Sequence, residues 1–374
     1  MSRAIVYNVL GALLVVAIIV LKIPILWVAV GVLAILAFVI LNPFAPPVES
    51  VPNGFAEKQF DTGQVVLNYV EGPRNGPPLL FIPGQMEFWQ GYKLVMPHFA
   101  RKFHVFVVDV RGHGKSTRTP GEYSYNIIGQ DLKAFLENVI KGPAIVSGLS
   151  SGAVLAIWLA ANAPDLVLAA ISEDPPLFSA MYPRIEHEKY MYRIFKVAID
   201  TLGRPQRDIL EYFMQQGIPK EGREDLLLIP PWIAKFIVGD FELNKRLRPN
   251  RKYDVPMAPY SGKLGFKFIS EYDVDFSRAT IDGRLTSGFD PEQTLKKINC
   301  PMLLIHAKWS RDKNWGLLGA MDDEDAGKIL ASVEHLTYVK VDSFHDVHLS
   351  KPAIFIRVVD GFLKSLDFKS ALQV

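Results

Sequence analysis

Cysteine is almost absent: the 374 residues hold one, Cys300, which excludes an internal disulfide framework. No Cys/His cluster has metal-ligand spacing, so neither a structural metal nor a cofactor is expected. A surplus of one charge is missing too. Lys and Arg number 41 against 39 Asp and Glu, a net charge of +2 with no basic block or stripe, so nucleic acid is not an expected partner. Internal repeats and low-complexity tracts are also lacking, which excludes a repeat array.

What is present begins with an apolar stretch. Residues 4–41 carry no charge except Lys22, and a bilayer span takes about 20 apolar residues. The run is too long for one span and fits two short ones, 4–21 and 25–41, turning at Lys22 and Pro24. A cleaved signal peptide is disfavoured by the run's length and the lack of a small-residue cleavage site before a polar start. A buried helix pair is disfavoured because neither half has a polar face. A membrane anchor over 1–41 is expected, followed by a Pro-rich, semi-rigid linker over 42–54. Two spans return the chain to its starting side, and Arg3 with the terminal amine favours the cytoplasm for the catalytic domain, with Lys22 at the tip opposing.

The chemistry concentrates at Gly148-Leu149-Ser150-Ser151-Gly152, a G-x-S-x-G pattern between the apolar run 143–146 and a helical run over 153–163. A serine on a sharp strand-to-helix turn needs small neighbours and presents its hydroxyl beside the free N–H groups of the helix start. Ser150 is the expected nucleophile, and Ser151 is expected to act through its backbone N–H. The plain alternative is a tight Gly/Ser connection, which the flanking strand and helix argue against.

Along the chain, runs 55–60 and 64–70 joined at Asp61-Thr62-Gly63 read as a hairpin. Apolar strands are expected at 78–84, 105–110, 143–146 and 166–172, separated by helices at 89–99, 126–140 and 153–163. Such alternation predicts a mostly parallel sheet covered on both faces. From 177 to 297 the pattern changes to helical segments rich in Tyr, Phe and Met, an inserted cap. The sheet resumes at 301–306 and 336–341, and a helix over 352–366 closes the domain.

These residues resemble the α/β-hydrolase superfamily. The resemblance covers roughly 55–366 outside the cap and rests on Phe81-Ile82-Pro83-Gly84-Gln85, Asp109-Val110-Arg111-Gly112-His113-Gly114-Lys115-Ser116, the Ser150 turn, and Phe344-His345-Asp346-Val347-His348 with Pro352. It implies an α/β-hydrolase core at 55–176 and 298–374 with a helical cap at 177–297. It further implies His345 as general base, with His348 as a neighbour that packs against structure, and an oxyanion hole from the Gln85 and Ser151 N–H groups. Proline stands at 83 where relatives usually have histidine; the backbone donor is unaffected. Asp109 and Arg111 take fold-supporting roles, and His113 and His306 have structural explanations.

The acid is the open member. Relatives mostly place it as Gly-x-x-Asp after the strand at 301–306, but this chain reads Ala307-Lys308-Trp309-Ser310-Arg311-Asp312. A minority place it about two dozen residues after the nucleophile, where Glu173 and Asp174 stand. Asp174 is preferred, with Asp312 and then Glu173 as alternatives. The expected function is a membrane-anchored serine hydrolase taking an ester, lactone or other acyl substrate, apolar and plausibly lipid-like, through an acyl-enzyme. Acyl transfer or C–C bond hydrolysis on the same triad, and a ligand-binding protein without fast turnover, are the alternatives.

Overall fold

The computed structural model describes residues 30–31, 47–219, 225–256 and 258–366. The expected membrane anchor over 1–41 lies outside the described residues, apart from 30–31. No helix among the described residues is long and apolar enough to cross a membrane.

An eight-stranded sheet runs β1 (Ala56–Asp61), β2 (Val66–Arg74), β4 (His104–Val108), β3 (Pro78–Ile82), β5 (Ala144–Leu149), β6 (Val167–Glu173), β9 (Met302–His306), β12 (Leu336–Lys340). β1 and β2 form the expected hairpin and β2 pairs antiparallel with β4; from β4 to β12 every pairing is parallel. Side chains alternate across the pleat. Leu79 and Phe81 join one core, and Leu80 and Ile82 the other. One face is covered by α1 (Met96–Phe99) and α12 (Pro352–Ser365), the other by α2 (Tyr125–Phe135) and α3 (Ser151–Asn162). Every α3 residue from Ser151 to Ala161 is buried, because this helix lies in the middle of the sheet with the cap behind it.

The cap carries α4 (Lys189–Leu202), α5 (Ile209–Met214), α6 (Pro231–Leu247), α7 (Tyr260–Glu271) and α8 (Asp275–Ile281). It departs from the expectation of helices alone, since β7 (Gly217–Pro219) and β8 (Leu226–Leu228) pair as an antiparallel hairpin apart from the main sheet. α9 (Pro291–Leu295) packs on α3, so the return to the core precedes residue 298.

Other departures have local causes. The expected helix at 89–99 is a 3₁₀ turn, Trp89–Leu94, followed by α1 with a proline in its first turn. The helix at 126–140 holds α-geometry to Phe135 and ends in a π-turn, Leu136–Ile140, closed by Lys141 at φ 61°. The loop after β9 is a hairpin of β10 (Ser310–Asp312) and β11 (Gly316–Leu318), followed by α10 (Asp323–Ser332). The linker is only partly a tether. Val48 is buried, its N–H donating to Asp254 at 2.8 Å, and Lys93 Nζ donates to the Pro47 carbonyl at 2.9 Å.

Candidate active site

Ser150 follows β5 at φ 55°, ψ −121° and caps α3. A non-glycine residue there is strained by about 1–3 kcal/mol, and the surroundings over-determine it. The Ser150 N–H donates to the Glu173 carbonyl of the next strand at 2.9 Å. A Cβ on Gly148 would stand 2.1 Å from the Gly152 carbonyl oxygen, and one on Gly152 would stand 2.2 Å from that of Ile82. Both glycines are therefore required by close approach of backbones. Sequence reasoning arrived at small residues here; the structure shows that what they avoid is each other and β3.

Asp174 leaves the end of β6 in the left-handed region, φ 47°, and is 1% exposed. Its Oδ1 accepts from the Ala307 N–H at 3.1 Å, and its Oδ2 lies 2.6 Å from His345 Nδ1. His345 sits in the turn between β12 and α11 (Val347–Ser350). Desolvation disfavours its charged form, but the hydrogen bond and charge of Asp174 outweigh that and hold its pKa above 6.5. With Nδ1–H given to Asp174, Nε2 carries the ring's lone pair and can accept a proton.

The alternative acids stand elsewhere. Asp312 Oδ1 accepts from the Asn314 and Trp315 N–H groups at 2.7 and 3.0 Å and closes the β10–β11 turn. Glu173 is fully buried and faces His348. Adjacent residues at a strand end point in opposite directions, and only Asp174 reaches His345.

Ser150, Ser151, Gln85, Met86 and His345 line one cavity of about 300 Å³, whose wall is otherwise mostly apolar: Tyr125, Met191, Ile194, Phe195, Leu317. It joins, through Gln85, Met86, Tyr190 and His345, an outer cavity of about 880 Å³ bearing Lys308, Trp309 and Lys351. Among the described residues, neither the Gln85 nor the Ser151 N–H has a protein acceptor. The Gln85 side chain points into the cap, where Nε2 donates to Tyr272 at 2.7 Å and Ser277 at 3.2 Å and Oε1 accepts from Thr280 at 3.1 Å.

Two supports escaped sequence reasoning. His113, in the Gly-rich turn, is pushed down to about 4 by burial. Its neutral ring accepts the Met86 N–H at 3.2 Å on Nε2 and faces the Arg111 carbonyl with Nδ1, bracing the Gln85 loop. Glu87 is the second. Its carboxylate lies 3.0 Å from His348 Nε2, while His348 Nδ1 lies 3.0 Å from Glu173. Burial opposes the charged ring, and the two carboxylates overcome it, holding His348 well above its ordinary value. Both ring nitrogens face carboxylates, as an imidazolium requires. Nothing in the local order Gly84-Gln85-Met86-Glu87 marks the partner.

A family model described as the alpha/beta hydrolase fold matches residues 77–352. The chain belongs to this family. It is similar to the 2-(acetamidomethylene)succinate hydrolase of Mesorhizobium japonicum, 31% identical over 120 residues, which cover 32% of this chain and 43% of the relative. It is also similar to the 3-oxoadipate enol-lactonase 2 of Acinetobacter baylyi, 31% identical over 105 residues, 27% of this chain and 38% of the relative. The match thus spans less than half the length of either curated relative. Among solved structures, a membrane phospholipase A described as a bacterial virulence factor aligns over 98% of this α/β-hydrolase chain and 99% of its own, with a TM-score of 0.54 and 19% identity. A likeness at that identity speaks to the fold alone.

Proposed function

We propose that the chain is a membrane-anchored serine hydrolase of acyl esters. Ser150 attacks the acyl carbonyl while His345 Nε2 takes its proton and Asp174 holds the imidazole in the right tautomer. The N–H groups of Ser151 and Gln85 receive the oxyanion. His345 then returns the proton to the leaving alcohol, and a water activated by the same ring hydrolyses the acyl-enzyme. One observation carries this reading: the 2.6 Å contact of His345 Nδ1 with Asp174, on a ring that shares its cavity with Ser150.

The inner chamber suits the acyl part. A methylene takes roughly the ~30 Å³ of a liquid water, so about 300 Å³ admits a chain on the order of ten carbons. The outer chamber, whose wall carries Lys308 and Lys351 beside Asp342 and Asp346, suits a polar leaving group. That division, an apolar chain beside a polar head, fits a lipid-like ester. The anchor over 1–41 and a cytoplasmic catalytic domain belong to the same proposal and rest on the length and lack of charge of that stretch.

A fluorophosphonate probe with a long alkyl chain tests the chemistry. Labelling should map to Ser150 and disappear in Ser150→Ala, with ester turnover falling to a residual of about 10³ to 10⁴ over water. Labelling that persists in Ser150→Ala at another residue rejects the reading.

A further inference from the structure

α6 has two unlike faces. Ala234, Val238 and Phe241 point into the cap, whereas Trp232, Phe236, Leu243 and Leu247 are 72, 61, 55 and 71% exposed. The four are spaced four, seven and four residues apart, so at 3.6 residues per turn they form one stripe along a helix about 25 Å long. At its first turn the stripe meets the β7–β8 hairpin, where Ile218 and Leu227 are 60 and 56% exposed. Single exposed apolar residues are ordinary; a continuous row headed by tryptophan is not. Lys235 and Arg246 stand along one edge of the row and Asp240 along the other, while Lys245 lies on the opposite side, over the Phe241 ring.

The chain enters the domain beside the far end of this stripe. Val48 is bonded to Asp254, and Glu49 pairs with Lys267 of α7 at 3.2 Å. Asp254 stands just beyond the C-terminal end of α6, where Leu247 is. Five residues lie between Leu41 and Pro47, and the six links can reach at most ~20 Å. The end of the apolar run is thus tied close to the exposed face.

We propose that the exposed face of α6, with the β7–β8 hairpin, seats in the interfacial layer of the bilayer that holds residues 4–41. Its stripe enters the headgroup–acyl boundary, with Lys235 and Arg246 at its edge meeting the headgroups. Aromatic and aliphatic residues on one face with basic residues beside them are what such a position selects. The bilayer is favoured over a second copy because the apolar run over 4–41 ends within reach of this face. The proposal rests on the membrane-anchor reading, and the test separates the two.

Gly239 lies within the stripe, and a Cβ there meets nothing within 4 Å, so Gly239→Cys in a Cys300→Ser background takes a fluorophore without disturbing the row. A control carries the label at Glu137, exposed on the core. The full chain goes into phosphatidylcholine–phosphatidylglycerol vesicles with nitroxide on the acyl chains. The label at 239 should lose emission by about twofold or more, the label at 137 should not, and serine at 232, 236, 243 and 247 should abolish the difference while the chain still resists carbonate extraction. Extraction by carbonate overturns the anchor reading. A retained chain whose label at 239 is reached by aqueous iodide but not by the lipid quencher overturns the docking alone. A label shielded from both quenchers shows the face covered by protein and overturns the lipid occupant.

Discussion

Ser150 and Asp174 are both non-glycine residues at positive φ, 55° and 47°, and each is locked by a backbone bond to the neighbouring strand: Ser150 N–H to Glu173, and Asp174 N–H to the Ile305 carbonyl at 2.8 Å. Among the described residues four non-glycine residues have positive φ, Met86, Lys141, Ser150 and Asp174, and three of them line the cavity or bond to His345, which points to a site held by its fold. Asp174→Asn should keep that fold and lower turnover by up to about 10⁴, because the amide no longer holds the imidazole in its working tautomer. Asp312→Asn should stay within about 0.5 kcal/mol and near the normal rate, and steady-state kinetics on both variants decides. The pH profile follows from the sign of the His345 shift. Its folded pKa is raised above 6.5, so the neutral base appears only above that value, and the rising limb of kcat/KM should lie to the alkaline side of pH 6.5. The same shift adds stability that is full below pH 6.5 and lost as pH climbs through the folded value. A limb centred below pH 6.5 counts against His345 as the base. Asp174 was readable as a residue by its spacing from Ser150 and the broken Gly-x-x-Asp pattern. Glu87 and His113 were not, because their significance depends on partners 261 and 27 residues away.

At the level of elements, the three turns that bear the proposed groups are tied to one another behind the cavity. Glu87 lies two residues from Gln85, Glu173 is next to Asp174, and His348 is three from His345. The His348 ring joins both acids, and its backbone N–H donates to Glu173 at 2.8 Å while Tyr92 stacks on it at 4.1 Å. Removing the cation leaves two buried carboxylates facing an uncharged gap, which typically costs about 3–5 kcal/mol. His348→Gln should therefore lower the unfolding free energy by that order in urea titrations. A change under about 0.5 kcal/mol, the range of an ordinary surface substitution, refutes the ionic bridge. Elements of the core were legible because strands buried on both faces read as continuous apolar runs and helices between them do not. The β10–β11 hairpin was not legible: its strands are three residues each, too short for any period to show. The β7–β8 pair was hidden for the same reason.

Across the whole molecule, the open question is which way the domain faces. Residues 4–41, apart from 30–31, lie outside the described part, so their arrangement rests on physical chemistry alone: an apolar run nearly twice the ~20 residues of one span, interrupted by Lys22 and Pro24. If the chain crosses twice, an epitope before Arg3 and the hydrolase domain lie on the same side of the membrane; a single crossing separates them. The domain end of this connection is held in place, since residues 47–50 are pinned by Lys93, Asp254 and Lys267. Protease added to sealed, inside-out vesicles should remove an N-terminal epitope and abolish ester turnover together, as two crossings with a cytoplasmic domain require. An epitope protected while turnover is lost indicates one crossing. Protection of both leaves two crossings intact and reverses the orientation, which makes Lys22 the charge held in the cytoplasm in place of Arg3.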